Sequence, residues 1–298
     1  MQMKARILTI VVTYNGMKWL DRCLGSVALS KEPSDVFVVD NCSTDGTPEY
    51  ISEHFPQARL HVSSVNLGFG KANNLGMKYA LKAGYEYVYL LNQDAWLMPE
   101  TLGLLIDARE SDRAIGIISP MQMTADMERP DYRFEKWCPR RALKDVQRRR
   151  SGKVYDVDFV MAAHWLISRE CLENVGGFSP AFTHYGEDDN YVHRAQAKGY
   201  KVSVHSGALA VHDRDARPMS KESAMRLKCV ASVVKISNPR NSLWFRMMFQ
   251  PLELLAISIR YWSGYVFRYI FTLIGSYRRL AHLRAISLDD RAFLDSSE

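Results

Sequence analysis

The residues best suited to chemistry stand where apolar runs stop. Tyr87-Val-Tyr-Leu-Leu-Asn92-Gln93-Asp94 carries large and β-branched side chains into two amides and a carboxylate. Two other runs end alike, at Thr13-Tyr14-Asn15 and at Asp40-Asn41. One polar strand end is ordinary, but three in successive strand–helix units describe the floor of a cleft, because ligands of parallel sheets bind at the carboxyl ends of the strands. There Asp94 can ligate a divalent cation that bridges a diphosphate, since magnesium-type sites need only one or two protein carboxylates. Capping of the helix after Pro99 is its competing structural reading. His212, at the end of Leu209-Ala-Val-His, is the candidate second ligand, and an imidazole shifts preference from magnesium toward manganese.

Two more sites carry paired readings. Asp40 can hydrogen-bond a base or ribose, or simply close an Asx turn with the neighbouring Ser43-Thr-Asp45-Gly. Glu187-Asp188-Asp189 sits at the expected start of a helix, where acids complement the macrodipole. Three adjacent acids exceed what capping needs, and a carboxylate at a cleft edge is what turns a hydroxyl into a nucleophile. Gly68-Phe-Gly70-Lys71-Ala-Asn73 is not a dinucleotide fingerprint: Asn73 stands at the third glycine position, and the segment follows the third strand instead of the first. Neither a Walker A pattern nor a GxSxG elbow occurs.

The elements that must position these groups follow from periodicity. Strands are expected at Ile7–Thr13, Val36–Val39, Leu60–Val65, Tyr87–Asn92 and Ile115–Ser119, with helices at Trp19–Leu29, Thr47 onward, Gly68–Ala83 and Pro99–Glu110. That rhythm indicates an α/β sheet of mainly parallel strands. Asp126–Gly152, with Pro130, Pro139 and the basic run Arg148-Arg-Arg150, reads as a mobile loop. Val157–Ile167 is apolar around His164, Tyr185–Gly199 is helical, and Val202–Val211 supplies one or two strands.

With 298 residues, 47% hydrophobic and 24% charged, the chain can bury a full core, and global disorder is excluded. The formal charge of +6 suits a nucleotide, a phosphorylated substrate or an anionic membrane face without indicating nucleic acid. Five scattered cysteines with no CxxC pair suggest neither a disulfide framework nor a zinc site. The first residues lack a signal-peptide layout, so a cytoplasmic setting is expected. Composition changes near residue 236, dividing the chain into 1–235 and an amphipathic helical region, 236–298. Arg246, Glu253, Arg260 and Arg268 fall in one stripe on a helix and leave a broad aromatic and aliphatic face (Trp244, Phe245, Leu254, Leu255, Trp262, Phe267). That face can pack on its own domain or on a twin subunit as a homodimer. It can also lie in the plane of a membrane through 243–284, peripheral at the inner face. The longest uncharged run, Tyr269–Tyr277, is too short to span a bilayer.

Taken in order, Val11-Val-Thr-Tyr-Asn-Gly16, Val38-Val-Asp-Asn-Cys-Ser-Thr-Asp-Gly-Thr47, Asn66-Leu-Gly-Phe-Gly-Lys-Ala-Asn-Asn74, Leu90-Leu-Asn-Gln-Asp94, Gly176-Gly-Phe178 and Tyr185-Gly-Glu-Asp188 resemble the motifs of family 2 glycosyltransferases. The similarity spans roughly residues 5 to 215 and is strongest to a rhamnosyltransferase-like branch; its specificity lies in order and spacing. It implies a GT-A fold, a nucleotide-sugar donor (a dTDP- or UDP-sugar), Mn2+ or Mg2+, inversion at the anomeric carbon, and a glycan or lipid-linked glycan acceptor in surface polysaccharide synthesis. By position it implies that Thr13, Tyr14, Asn15, Asp40, Asn66, Gly68 and Asn73 meet the nucleotide. Asn92, Gln93 and Asp94 would meet the donor diphosphate, with Asp94 as the last acid of the DxD motif and His212 completing the metal site. Asp188, flanked by Glu187 and Asp189, matches the catalytic base. Two departures stand out: Asn92 replaces the first acid of DxD. Asn190 replaces the second acid of the EDxD pattern while Asp189 is added, which leaves the base open between Asp188 and Asp189. A sugar nucleotidyltransferase is the rival enzyme, although Tyr14-Asn-Gly-Met-Lys-Trp19 is not its glycine- and arginine-rich loop. A non-catalytic nucleotide-sugar-binding protein is the rival of another class.

Overall fold

Strands β1 (Ile7–Thr13), β2 (Asp35–Asp40), β3 (Arg59–Val62) and β4 (Tyr87–Asn92) lie in the order β3-β2-β1-β4, every neighbouring pair parallel. The computed structural model describes residues 6–148, 152–214 and 219–294. Helices α1 (Leu20–Ala28), α2 (Thr47–His54) and α3 (Gly68–Ala83) make the crossovers. Leu8, Ile10, Val88 and Leu90 enter the core on one face of the sheet, while Ile7, Val11, Tyr89 and Leu91 enter the core on the other. Burial on both faces is why these strands read as unbroken apolar runs. At Gly76 a Cβ would come within 2.7 Å of Ile10, so glycine there lets α3 press directly onto β1. The third strand stops at Val62, short of the expected Val65, where the Ser63 hydroxyl donates to the Val65 carbonyl at 2.7 Å and turns the chain.

Beyond β4 the sheet becomes mixed. A three-residue strand, β5 (Ala95–Leu97), leads into α4 (Thr101–Ser111) and then β6 (Ile115–Met123), buried along its whole length and four residues longer than its apolar run suggested. The chain returns as β8 (His164–Ser168), which lies antiparallel between β4 and β6, and after α7 (Arg169–Val175) and α8 (Glu187–Ala197) it enters β9 (Lys201–His212), parallel to β6. β9 is one strand, with an irregularity opposite Pro120–Met121. Its far end pairs antiparallel with β5.

The segment expected to be a mobile loop contains two short helices, α5 (Tyr132–Glu135) and α6 (Arg140–Gln147), followed by strand β7 (Val154–Asp156) on β9. The Asp131 carboxylate caps α5 by accepting from Arg133 and Phe134 N–H, and Phe134 is buried in the main core. Proline marked helix starts here rather than disorder. Arg149 and Arg150 of the basic run, and residues 1–5, lie outside the described residues.

Helices α9 (Lys221–Ser237), α10 (Leu243–Tyr261), α11 (Gly264–Gly275) and α12 (Tyr277–Ile286) gather a separate small core around Cys229, Leu254, Val266 and Leu273. The compositional boundary at residue 235 falls in the last turn of α9. Trp262, in the left-handed conformation at φ 49°, ends α10, so the stripe expected to run from Arg246 to Arg268 is split between two helices, and Leu254 of the expected apolar face is buried. The five cysteines are free thiols, and no described helix is long and apolar enough to cross a membrane.

Candidate active site

Asp94 leaves β4 two residues past its end, and His212 closes β9. Pairing of β5 with β9 sets Ala95 opposite His212, and the Asp213 N–H donates to the Asp94 carbonyl at 2.8 Å. The result is a carboxylate and an imidazole from positions 118 residues apart, Asp94 Oδ1 lying 3.5 Å from His212 Nε2. Burial alone would raise the Asp94 carboxyl, but the hydrogen bond and charge of His212, with Arg214 nearby, hold it below its ordinary value. The Arg214 guanidinium donates to His212 Nδ1 at 2.6 Å and also lies 3.3 Å from Asp131, the α5 cap. Since arginine only donates, Nδ1 accepts and the ring proton sits on Nε2, facing Asp94; a cation taken up by Nε2 would require that proton to move to Nδ1 and the Arg214 guanidinium to turn away from it. Two donors that share one cation at about 2.1 Å each stand roughly 3 Å apart, close to the spacing of Asp94 and His212, which are the residues that would hold such an ion. Among the described residues no third His, Cys, Asp or Glu joins them.

The floor of the cleft is a hydrogen-bonded lattice. Asp40 is fully buried and both its oxygens are engaged, Oδ1 by the Thr13 hydroxyl at 3.0 Å and Oδ2 by the Ser43 N–H at 2.9 Å. That is the Asx-turn arrangement, and it also locks Thr13, which is buried too. The Asn15 side chain accepts from Thr44 N–H, and its own N–H donates to Ser43, which holds the β1 and β2 loops together. Gln93 accepts from Tyr14 N–H at 2.8 Å, leaving the half-exposed Tyr14 ring beside the opening. Asn66 is exposed and caps Gly68 N–H at 2.9 Å. Gly68 has φ 76°, and a Cβ there would meet the Thr183 carbonyl at 2.7 Å, so this glycine brings α3 against the turn before α8. Asn73 is not brought to the cleft: it is buried within α3, where its amide donates to Phe69 one turn back.

The acidic cluster opens α8. Arg194, fully buried, donates from Nη1 to the Val175 carbonyl at 2.7 Å, to the Gly177 carbonyl, and from Nε to Asn190 at 3.1 Å, anchoring the helix to the Gly176-Gly177 turn. Asn190, where an acid would be usual, is therefore a structural amide. Phe178 packs between Phe69, Trp165 and Tyr191 beneath the helix start. Glu187 is buried with Oε2 unpartnered, and burial followed by the charge of Asp188 pushes its carboxyl up to about 7. Asp188 and Asp189 are half-buried and titrate together, both raised by burial. Their surroundings differ. Asp188 accepts from the Asp189 N–H at 2.9 Å, and the nearby Ala162 N–H and Asp189 side chain also favour its ionised form. Asp189 faces the charges of Asp188 and Glu187, which favour keeping its proton.

One short segment joins the two halves of the site. Ala162 N–H holds Asp188, the Ala163 carbonyl accepts from Asn92 N–H at 3.1 Å, and His164 Nε2 donates to the carbonyl of Val211, next to His212. The acidic cluster and the Asp94–His212 pair are thereby tied to one segment, residues 162–164, at the start of β8. His164 Nδ1 accepts from the Tyr89 hydroxyl at 2.8 Å, and burial pulls the imidazole down to about 3, so it is a neutral strut.

A model described as glycosyl transferase family 2 matches residues 9–176 of the chain. The chain is a family 2 glycosyltransferase. N-acetylglucosaminyl-diphospho-decaprenol L-rhamnosyltransferase of Mycobacterium tuberculosis is 27% identical over 264 residues, 80% of this chain and 85% of that protein. Poly(ribitol-phosphate) beta-N-acetylglucosaminyltransferase TarS of Staphylococcus aureus is 34% identical over 112 residues, 35% of this chain and 19% of that one. Among solved structures, TarS 1-349 in complex with UDP superposes with a TM-score of 0.55 at 18% identity over 97% of this chain and 90% of that chain. Mannosyltransferase PcManGT from Pyrobaculum calidifontis, in complex with GDP-Man and Mn2+, does so with a TM-score of 0.55 at 20% identity over 95% of this chain and 85% of that chain. These likenesses give this transferase the GT-A fold and favour glycosyl transfer over the nucleotidyltransferase alternative.

Sequence reasoning missed Arg214 and Asp131. Arg214 stands two residues past His212 and could have been weighed as an anion-binding group. Asp131 lay inside a stretch read as loop, and only the fold shows it at the site.

Proposed function

We propose that this glycosyltransferase moves a sugar, with inversion, from a nucleotide-diphosphate donor to a hydroxyl of a glycan carried on a lipid diphosphate, in cell-surface polysaccharide synthesis. The observation that carries this reading is the segment of Ala162, Ala163 and His164, which links a raised carboxylate pair to the strand ends that bear Asp94 and His212. Asp188 acts as base, since its hydrogen bonds favour the ionised form; Asp189 keeps the shared proton. The acceptor oxygen gives its proton to Asp188 as it bonds to the anomeric carbon. The bond from that carbon to the diphosphate oxygen breaks on the opposite face, and the electron pair leaves with the nucleoside diphosphate. A divalent cation on Asp94 and His212 would supply positive charge to that leaving group, and Arg214 contributes a further charge from the chain itself. Tyr14, Asn15 and Asn66 line the nucleotide end, with Asp40 and Thr13 fixing the loop from below.

The lipid-linked acceptor is supported by the decaprenol named in the mycobacterial relative and by the surface of α10. Trp244, Phe245, Met248, Phe249, Leu252 and Ile259 are exposed along one side of that helix, a larger apolar face than a monomer in water normally shows. Glu253, on the flank, is engaged by Lys235 at 2.5 Å, so the flanking arginines leave a net positive border suited to anionic lipid. In this reading residues 1–235 are the catalytic unit and 236–298 its membrane-facing part.

A thermal-shift panel of nucleoside diphosphates and nucleotide sugars, each with Mn2+, Mg2+ or chelator, tests the donor site, because a ligand of the folded state raises apparent stability. Metal-dependent stabilisation by one nucleotide is expected. Metal-independent stabilisation would remove Asp94 and His212 as ligands.

A further inference from the structure

A cavity of about 750 Å³ opens between the 181–185 turn, α9 and α11, and none of Tyr14, Asn15, Asp40 or Asn66 lines it. Arg133 and Arg226, His184 and Tyr185, and Tyr265 and Tyr269 line it, and among the described residues no carboxylate does. Its position is the first argument. Tyr185, three residues before Asp188, and Arg133, two residues after Asp131, both line it, so the cavity lies next to the turn that leads into α8 and next to α5. Tyr185 holds φ 67° with its ring 3.9 Å from that of His184, a conformation uncommon for a bulky residue and one that gathers at working sites. Charge is the second argument. Arg226 pairs with Glu222 one turn back, with side chains 63% and 67% exposed. Such a pair is weak in water, so the guanidinium is open to a phosphate. Tyr265 and Tyr269 face the cavity from α11 and give it an aromatic wall, while Phe267, Phe271 and Ile274 are exposed on the opposite side of the same helix.

We propose that this cavity holds the diphosphate-bearing end of a lipid-linked acceptor, with Arg226 and Arg133 on the phosphates and Tyr265 and Tyr269 against the first apolar atoms beyond them. The proposal rests on the transferase reading above, which makes the acceptor lipid-linked.

Farnesyl diphosphate is a suitable probe for the full chain, with binding read by calorimetry in saturating UDP and Mn2+ so that the donor site is filled. Binding should persist with UDP present. It should weaken roughly tenfold or more in Arg226→Ala and in Arg133→Ala, as lost charge-assisted hydrogen bonds do, and fall in Tyr269→Ala. Farnesol and inorganic diphosphate, each offering half of the ligand, should bind at least tenfold more weakly than the intact probe. Displacement by UDP, equal binding of farnesol, or unchanged affinity in both arginine variants would overturn the proposal. UDP binding is read separately in each titration. Its absence, with farnesyl diphosphate still bound through the arginines, would sink the donor reading while upholding the cavity.

Discussion

Glu187→Gln should make the protein more stable, by a margin that opens above about pH 4.5 and is nearly complete by roughly pH 7.5. Glu187 is 7% exposed, one of its carboxylate oxygens has no partner, and Asp188 is its neighbour. Burial first, and that charge second, raise its carboxyl from 4.5 to about 7. At 1.36 kcal/mol per pH unit this difference amounts to about 3 kcal/mol. The sign follows from linkage: a carboxyl raised on folding contributes stability that is complete below its unfolded pKa and is lost as pH rises through the folded one. Wild type should therefore lose about 3 kcal/mol relative to Glu187→Gln between pH 4.5 and roughly 7.5. Urea unfolding of both proteins at pH 4.5, 6, 7 and 8.5 measures it. The two curves should meet at the acid end and diverge toward the basic end. A difference independent of pH, or a variant less stable at pH 8.5, would refute the argument that ionised Glu187 is a cost built into this helix start.

Asp94→Ala should abolish metal-dependent donor binding while leaving the fold intact; calorimetry with UDP and Mn2+ checks this, and wild-type affinity would remove Asp94 from the site. His164→Ala strands the Tyr89 hydroxyl and the Val211 carbonyl in the core, which should cost about 2–5 kcal/mol by urea unfolding; a loss under 1 kcal/mol would mean that His164 is no strut. Replacing Trp244 and Leu252 on α10 by serine should release the protein from phosphatidylglycerol vesicles in a sedimentation assay without changing its circular dichroism. Vesicle binding equal to wild type would leave the apolar face to a second copy of the chain.

The parallel half of the sheet was legible because strands buried on both faces must be largely apolar, and the middles of β1, β2 and β4 are. The second half hid itself for physical reasons. β8 starts at His164, a polar residue whose place in the core depends on Tyr89 and Val211, partners 75 and 47 residues away. The 126–152 stretch signalled loop through its prolines, while Asp131 and Pro139 were helix starts whose packing partners lie elsewhere in the chain. At the site, residue types and strand ends led to Asp94, His212 and the 187–189 acids, and those positions are where the fold gathers its candidate groups. Asp40 and Asn73 show the limit of that approach: polar type marks a residue that must be satisfied, and both are satisfied by the protein itself. The choice between Asp188 and Asp189 was equally beyond the sequence, because it depends on the Ala162 N–H, supplied by a segment 26 residues upstream.

Transfer rates of Asp188→Asn and Asp189→Asn, measured side by side with donor binding, test the central claim most directly. A positioned base contributes about 10²–10⁴-fold, so Asp188→Asn should lose at least the lower figure with donor affinity unchanged. Asp189→Asn, which removes only the proton-holding partner, should lose far less. Wild-type turnover in Asp188→Asn, or a reversal of the two variants, would contradict the account.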